Sequence, residues 1–181
     1  SPRFAHAHAC VMFSATLSPA DYHRDLLGLD REVHWQDVES PFAAEQLQVK
    51  VVSRISTRLA NRKASALPIA GLVIEQYRRQ AANYLVYFSS FAYLEMVSDA
   101  LEECDPDIPV WRQTPAMTGK QRQAFIDRFV KGGEGIGFAV LGGAFAEGID
   151  LPGSRLSGVF IATLGLPPFD AWHETLRQRL Q

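Results

Sequence analysis

Residues 135–153, GIGFAVLGGAFAEGIDLPG, hold the residue types from which a phosphate- or nucleotide-facing turn is made. The apolar run Ile136, Phe138, Val140 and Leu141 reads as a buried strand, and it leads into a glycine-rich turn. Glu147 and Asp150 stand just past the carboxyl end of that strand. In an open parallel sheet, ligands bind in the crevice outside the carboxyl ends of the strands. Glycines there let backbone N–H groups approach a phosphate, and a carboxylate among them takes a ribose hydroxyl or a metal-bound water. A tight surface loop with incidental acids is the competing reading, and glycines and acids alone weigh the two evenly.

Two clusters of small hydroxyl residues follow other strand-like runs: Ser14-Ala15-Thr16 after Ala9–Phe13, and Ser89-Ser90 after Tyr84–Phe88. Hydroxyls and free helix N–H groups at such places hold a nucleic-acid phosphate, or they simply cap a helix. The segment Thr118-Gly119-Lys120-Gln121 is not a phosphate loop. Thr114 stands where the first glycine belongs, and Gln121 follows the lysine instead of Ser or Thr. No His, Ser or Cys pattern makes a nucleophile with its base: His23, His34 and His173 lie in polar stretches, and no HExxH occurs. His6 and His8 alternate with alanine without further ligands near them, so no metal site is expected. Cys10 and Cys104 match no disulfide or metal framework and read as buried free thiols in a reducing cytosol.

The elements that must position these residues alternate as βα units, which predicts a mostly parallel sheet within one domain over residues 1–181. Strands are expected at Ala9–Phe13, Val33–Val38, Leu47–Val52, Tyr84–Phe88, Val110-Trp111, 136–141 and Val159–Ala162. YLVYF at Tyr84–Phe88 is apolar throughout, as a strand covered on both faces must be. A helix from Pro19 to Leu27 stops at Gly28, and Arg54 to Lys63 is a basic, exposed stretch. A helix over Ala64–Gln80 turns Leu72, Val73, Ile74 and Tyr77 inward, with regular helix beginning near Pro68. Ser89-Ser90 caps a helix over Phe91–Leu101. Thr118 and Gln121 form a capping box, after which Phe125, Ile126, Phe129 and Val130 make the apolar stripe, ended by Gly132-Gly133. A last helix begins near Asp170, and Ala171–Gln181 runs to the final residue without a stop signal, as in a fragment of something longer.

With 18 basic and 20 acidic residues the net charge is −2, so any nucleic-acid contact must be local. No apolar run approaches the roughly 20 residues that span a bilayer. SPRFAHAHAC lacks the basic and apolar regions of a signal peptide, so a cytoplasmic protein without a membrane partner is expected.

In order and spacing, three stretches resemble motifs of the C-terminal RecA-like lobe (helicase domain 2) of DinG/XPD-type superfamily-two ATP-dependent DNA helicases. VMFSATLSP (Val11–Pro19) resembles motif III, YLVYFSSFAYLEMV (Tyr84–Val97) motif IV, and VLGGAFAEGIDLPGSRLSGVFIATLGLPP (Val140–Pro168) motif V and the strand after it. The resemblance implies a RecA-like three-layer α/β sandwich, truncated at its C-terminus. It implies that Asp150 and Gly148 face a nucleotide clamped between two lobes, with Glu147 beside them as a second candidate catalytic acid. It further implies that Ser89, Ser90, Gly142 and Gly143 touch phosphates of single-stranded DNA, and that Ser14 and Thr16 relay the nucleotide state to the DNA path.

The partners so implied are single-stranded DNA and the first RecA-like lobe of the same polypeptide, with ATP and Mg2+ used by the whole protein. An iron–sulfur cluster, in relatives that have one, belongs to the first lobe, and none is expected in this chain. The Walker motifs and the arginine-bearing motif VI are absent from the 181 residues. An arginine finger contributes about 10³–10⁵ in rate, so the isolated chain is expected not to hydrolyse ATP. A non-catalytic RecA-like scaffold or interaction domain is the alternative, since a fold does not fix a function.

Overall fold

The computed structural model describes residues 6–30, 32–146, 149–163, 175 and 178. The chain divides into two compact units, Ser1–Lys50 and Val51–Gln181, each of which is described by itself.

The first unit contains helix α1, Ala20–Leu27. It ends as the sequence predicts. Gly28 takes a left-handed φ of 64°, its N–H reaches the Asp25 carbonyl at 3.2 Å, and the Leu29 N–H reaches that of Arg24 at 2.9 Å. The strands expected at Ala9–Phe13, Val33–Val38 and Leu47–Val52 do not form. Their alternating apolar side chains, among them Val11, Phe13, Val38, Leu47, Val49 and Val51, are exposed, and no described residue of 6–50 is buried. A strand exists only where a neighbour completes its backbone hydrogen bonds, and among the described residues of this unit no segment does so.

The second unit carries the sheet. Helix α2 (Arg62–Arg79) leads to strand β1 (Asn83–Phe88), helix α3 (Phe91–Cys104) and strand β2 (Val110–Arg112). Helix α4 (Gly119–Ile126), strand β3 (Gly135–Val140) and strand β4 (Gly158–Ala162) follow. The four strands are parallel in the order β2-β3-β1-β4, with Phe88 opposite Val140 and Val110 opposite Ile136.

The chain moves from β1 past β3 to β2 and then returns to β3. A common hand for both crossovers therefore requires α3 and α4 on opposite faces of the sheet. The packing agrees. Tyr84, Val86, Phe88, Ile136 and Phe138 share one core with Val73 of α2 and with Leu94 and Val97 of α3. On the other face Leu85, Tyr87, Trp111 and Ala139 pack with Phe125 and Phe129. The three layers of a RecA-like α/β domain are thus present, and β1 is buried at every residue.

Two glycines in β3 have a packing cause. The Trp111 ring lies across the strand, so a Cβ on Gly135 would stand 2.2 Å from its Cζ3, and one on Gly137 2.6 Å from the Phe129 ring.

Local details differ from expectation. Helix α2 begins at Arg62, six residues ahead of Pro68, which sits inside the helix. Its missing donor would have served the Ala64 carbonyl. The buried stripe Ser65, Ala66, Ile69, Ala70, Val73 and Tyr77 holds the helix together across that gap, while Leu72 and Ile74 are half-buried. Helix α4 ends at Ile126, so Phe129 reaches the core from the turn beyond it and Val130 is exposed. Cys10 and Cys104 are free, as expected, but both are exposed: Cys104 closes α3 on its outer side, and Cys10 has no sheet to enter. The helix expected near Asp170 lies outside the described residues.

Candidate functional site

Three neighbouring strands, β2, β3 and β1, end at one side of the sheet, and the candidates Ser89, Ser90, Gly142 and Gly143 follow two of them there. Ser89 and Ser90 follow β1. The Ser90 hydroxyl accepts the Tyr93 N–H at 3.4 Å as the N-cap of α3. The turn after β3 is tied to the same place by the Leu141 N–H, which donates to the Phe88 carbonyl at 2.8 Å. Gly142 and Gly143 therefore follow β3 at the same end of the sheet at which the two serines follow its neighbour β1. Gly142 has φ 78° with open space around it, and the Gly143 N–H turns back to the Val140 carbonyl at 3.1 Å.

An apolar anchor holds this turn. Phe145 is fully buried, its ring centroid is 4.4 Å from that of Phe125, and its carbonyl accepts the Tyr87 hydroxyl at 2.6 Å. Burial pushes the Tyr87 hydroxyl above the usual tyrosine pKa, so it stays a donor. Glu147 and Gly148 lie outside the described residues. Further along, Ile149 and Leu151 lean on the Phe145 core while Asp150 between them is exposed, with no ion-pair partner among the described residues. Ser14 and Thr16 belong to the first unit. There the Ser14 hydroxyl meets that of Thr16 at 3.1 Å and accepts the Thr16 N–H at 3.2 Å, a local hydroxyl turn.

Arg62 is the residue whose place the sequence did not reveal, since it reads there as one of several exposed cations. In the structure its guanidinium forks onto the Ser89 hydroxyl at 2.7 Å and the Ser90 hydroxyl at 3.3 Å. It also lies 5.2 Å from the centre of the Tyr93 ring, which Ser65 steadies by a 2.6 Å hydrogen bond to the tyrosine hydroxyl. Among the described residues no carboxylate pairs with Arg62, and its Nε is buried without a partner.

The position runs against the helix dipole as well. The first turn of α2 holds no acid but does hold Arg62 and Lys63, at an end that favours negative charge. That inversion, cations in the opening turn of a helix, was the available sequence signal. Arg62, the two hydroxyls and the amino end of α3 make a positively polarised surface suited to an anion.

Among the described residues no group of three or more His, Cys, Asp or Glu is arranged to hold a metal ion, and no helix is long and apolar enough to cross a membrane.

Comparison with known proteins gives concordant findings. The family described as the helicase C-terminal domain matches residues 73–181. A protein of Methanocaldococcus jannaschii named as a probable ATP-dependent helicase is 29% identical over 163 residues, covering 85% of this chain and 24% of that protein. The chain thus spans about a quarter of the length of this curated relative. A solved structure titled as apo XPD superposes with a TM-score of 0.56 at 23% identity, over 90% of this chain and 33% of that one. A solved XPD helicase gives 0.48 at 24% identity, over 65% of this chain and 20% of that one.

Proposed function

Because the chain belongs to the helicase C-terminal domain family, we propose that it serves as the second motor lobe of an ATP-dependent DNA helicase, carrying part of the single-stranded DNA track. The observation behind this reading is the Arg62 cation, seated on Ser89 and Ser90 at the end of the sheet that carries the Gly142-Gly143 turn, with no carboxylate among the described residues to neutralise it. A partly buried guanidinium bonded only to neutral hydroxyls is completed by an external anion. The anion that recurs at every step of a nucleic acid, whatever its sequence, is the backbone phosphate. A net charge of −2 agrees with a local cation of this kind instead of a basic surface.

In the same reading Asp150 and Gly148 line the cleft where ATP and Mg2+ are held against the first RecA-like lobe. Glu147 couples that cleft to the track, and Ser14 and Thr16 relay the nucleotide state. Asp150 suits the part: an exposed carboxylate with no cation partner among the described residues can bond a ribose hydroxyl or a metal-bound water. The phosphate cradle and the arginine finger are supplied from outside these residues, so the chain alone does not turn over ATP.

The test is ATPase activity of the longer protein, with and without single-stranded DNA, beside its Asp150→Ala variant. DNA-stimulated turnover that the variant loses is the expected result. Absence of turnover in both proteins would overturn the motor reading in favour of a non-catalytic scaffold lobe.

A further inference from the structure

Gln113 follows β2 at the same side of the sheet, belongs to none of the motifs, and is only 8% exposed. Its backbone N–H prolongs the ladder by donating to the Phe138 carbonyl at 2.8 Å. Its side-chain Oε1 accepts the Val140 N–H, also at 2.8 Å. An N–H partner decides which end of the carboxamide is the oxygen, so Nε2 is turned the other way. It is turned toward the glycine pair: Nε2 lies 3.2 Å from where a Cβ on Gly143 would stand. Among the described residues Nε2 has no hydrogen-bond partner. Nε2 is not among the enclosed polar atoms that lack a partner, so its donors are open to the crevice beside Gly143 while the rest of the side chain is held in place.

We propose that Gln113 is a phosphate-contacting residue of the nucleic-acid track, its Nε2 donating to a backbone phosphate next to the one held by Arg62, Ser89 and Ser90. The proposal rests on the reading that this crevice carries a single strand. Geometry sets the count of phosphates. The backbones of Gln113 and Ser89 follow strands separated by β3 and lie two strand spacings, roughly 10 Å, apart, a span that suits one phosphate for each. They therefore serve successive phosphates, with Gly142 and Gly143 between them. The Oε1 bond to Val140 holds the carboxamide at a fixed angle, so the contact is preorganised.

The experiment is fluorescence anisotropy of a fluorescein-labelled oligothymidylate titrated with the longer protein. Gln113→Glu keeps the shape and the acceptor for the Val140 N–H but puts a charged oxygen where the donor was. It is expected to weaken binding by about tenfold or more. Gln113→Lys is expected to bind at least as tightly as the parent, with a salt dependence steeper by about 0.7 in log–log slope. Opposite effects of the two charges support the contact. Equal weakening by both, as from simple damage to the fold, overturns it.

Arg62→Gln, measured alongside, separates this proposal from the one beneath it. If Arg62→Gln weakens binding and Gln113→Glu does not, Gln113 is no part of the track while the track stands. If neither weakens it, the track reading itself falls.

Discussion

Replacing Arg62 by glutamine takes the cation away from Ser89 and Ser90 and leaves the rest of the crevice in place. A hydrogen bond to a charged group contributes about 1.5–3 kcal/mol, which corresponds to roughly a ten- to 150-fold loss of affinity for single-stranded DNA. Losing one phosphate neutralisation also lowers the slope of log affinity against log salt by about 0.7.

Folding is much less affected. The guanidinium–Tyr93 contact at 5.2 Å contributes about 0.5–1 kcal/mol, and the two bonds to serine hydroxyls are replaceable by water at the more exposed Ser89. Against that loss, removing a positive charge from the first turn of α2 returns about 0.3–1 kcal/mol. The variant should therefore melt close to the parent while binding distinctly more weakly. Anisotropy titrations of the longer protein over a salt series, paired with thermal melts, read both quantities. Parental affinity with an unchanged salt slope would refute the reasoning, and weaker binding matched by a large fall in melting temperature would assign Arg62 a structural part only.

Other expectations follow from the same contacts. Asp150→Ala should leave the stability read from thermal melts within about 0.5 kcal/mol of the parent, because the carboxylate is exposed and has no ion-pair partner among the described residues; loss of DNA-stimulated ATPase with a large destabilisation would contradict this. Gly137→Ala forces a Cβ to 2.6 Å from the Phe129 ring and 2.9 Å from Trp111 Nε1, so thermal melts should show a loss of about 1–3 kcal/mol. At the far end of α2, side-chain hydrogen bonds from Arg78 hold the Asp105 carboxyl below the usual carboxylate range. Since the folded pKa is the lower one, the ion pair stabilises above the unfolded pKa and its contribution fades as pH falls through the folded value. The gap in melting temperature between the parent and Asp105→Asn should accordingly be full at neutral pH and close on acidification; a gap that persists in strong acid contradicts the assignment.

What could be settled from the sequence was settled by neighbours along the chain. The unbroken apolar run YLVYF marks the strand covered on both faces, and it is β1, the strand between β3 and β4. Thr118 and Gln121 make their capping box, Ser90 caps α3, and Gly28 closes α1, because each of these bonds joins residues only a few positions apart. The helicase motifs, too, are contiguous strings, which is why family membership was legible in them.

Non-local adjacency decided the rest. Ala9–Phe13, Val33–Val38 and Leu47–Val52 have the composition of strands, yet alternation cannot supply the neighbouring backbone that a ladder needs. Pro68 is tolerated inside α2 because the stripe from Ser65 to Tyr77 is packed against the sheet. The need for glycine at positions 135 and 137 comes from the rings of Trp111 and Phe129 that lie across β3. Arg62 reaches serines 27 and 28 residues away, and Gln113 bonds a residue 27 away, distances along the chain at which no residue pattern signals a contact. A cation and an amide carry no periodicity of their own, and only the order β2-β3-β1 brings both to the ends of the strands that bear the serines and the glycine pair.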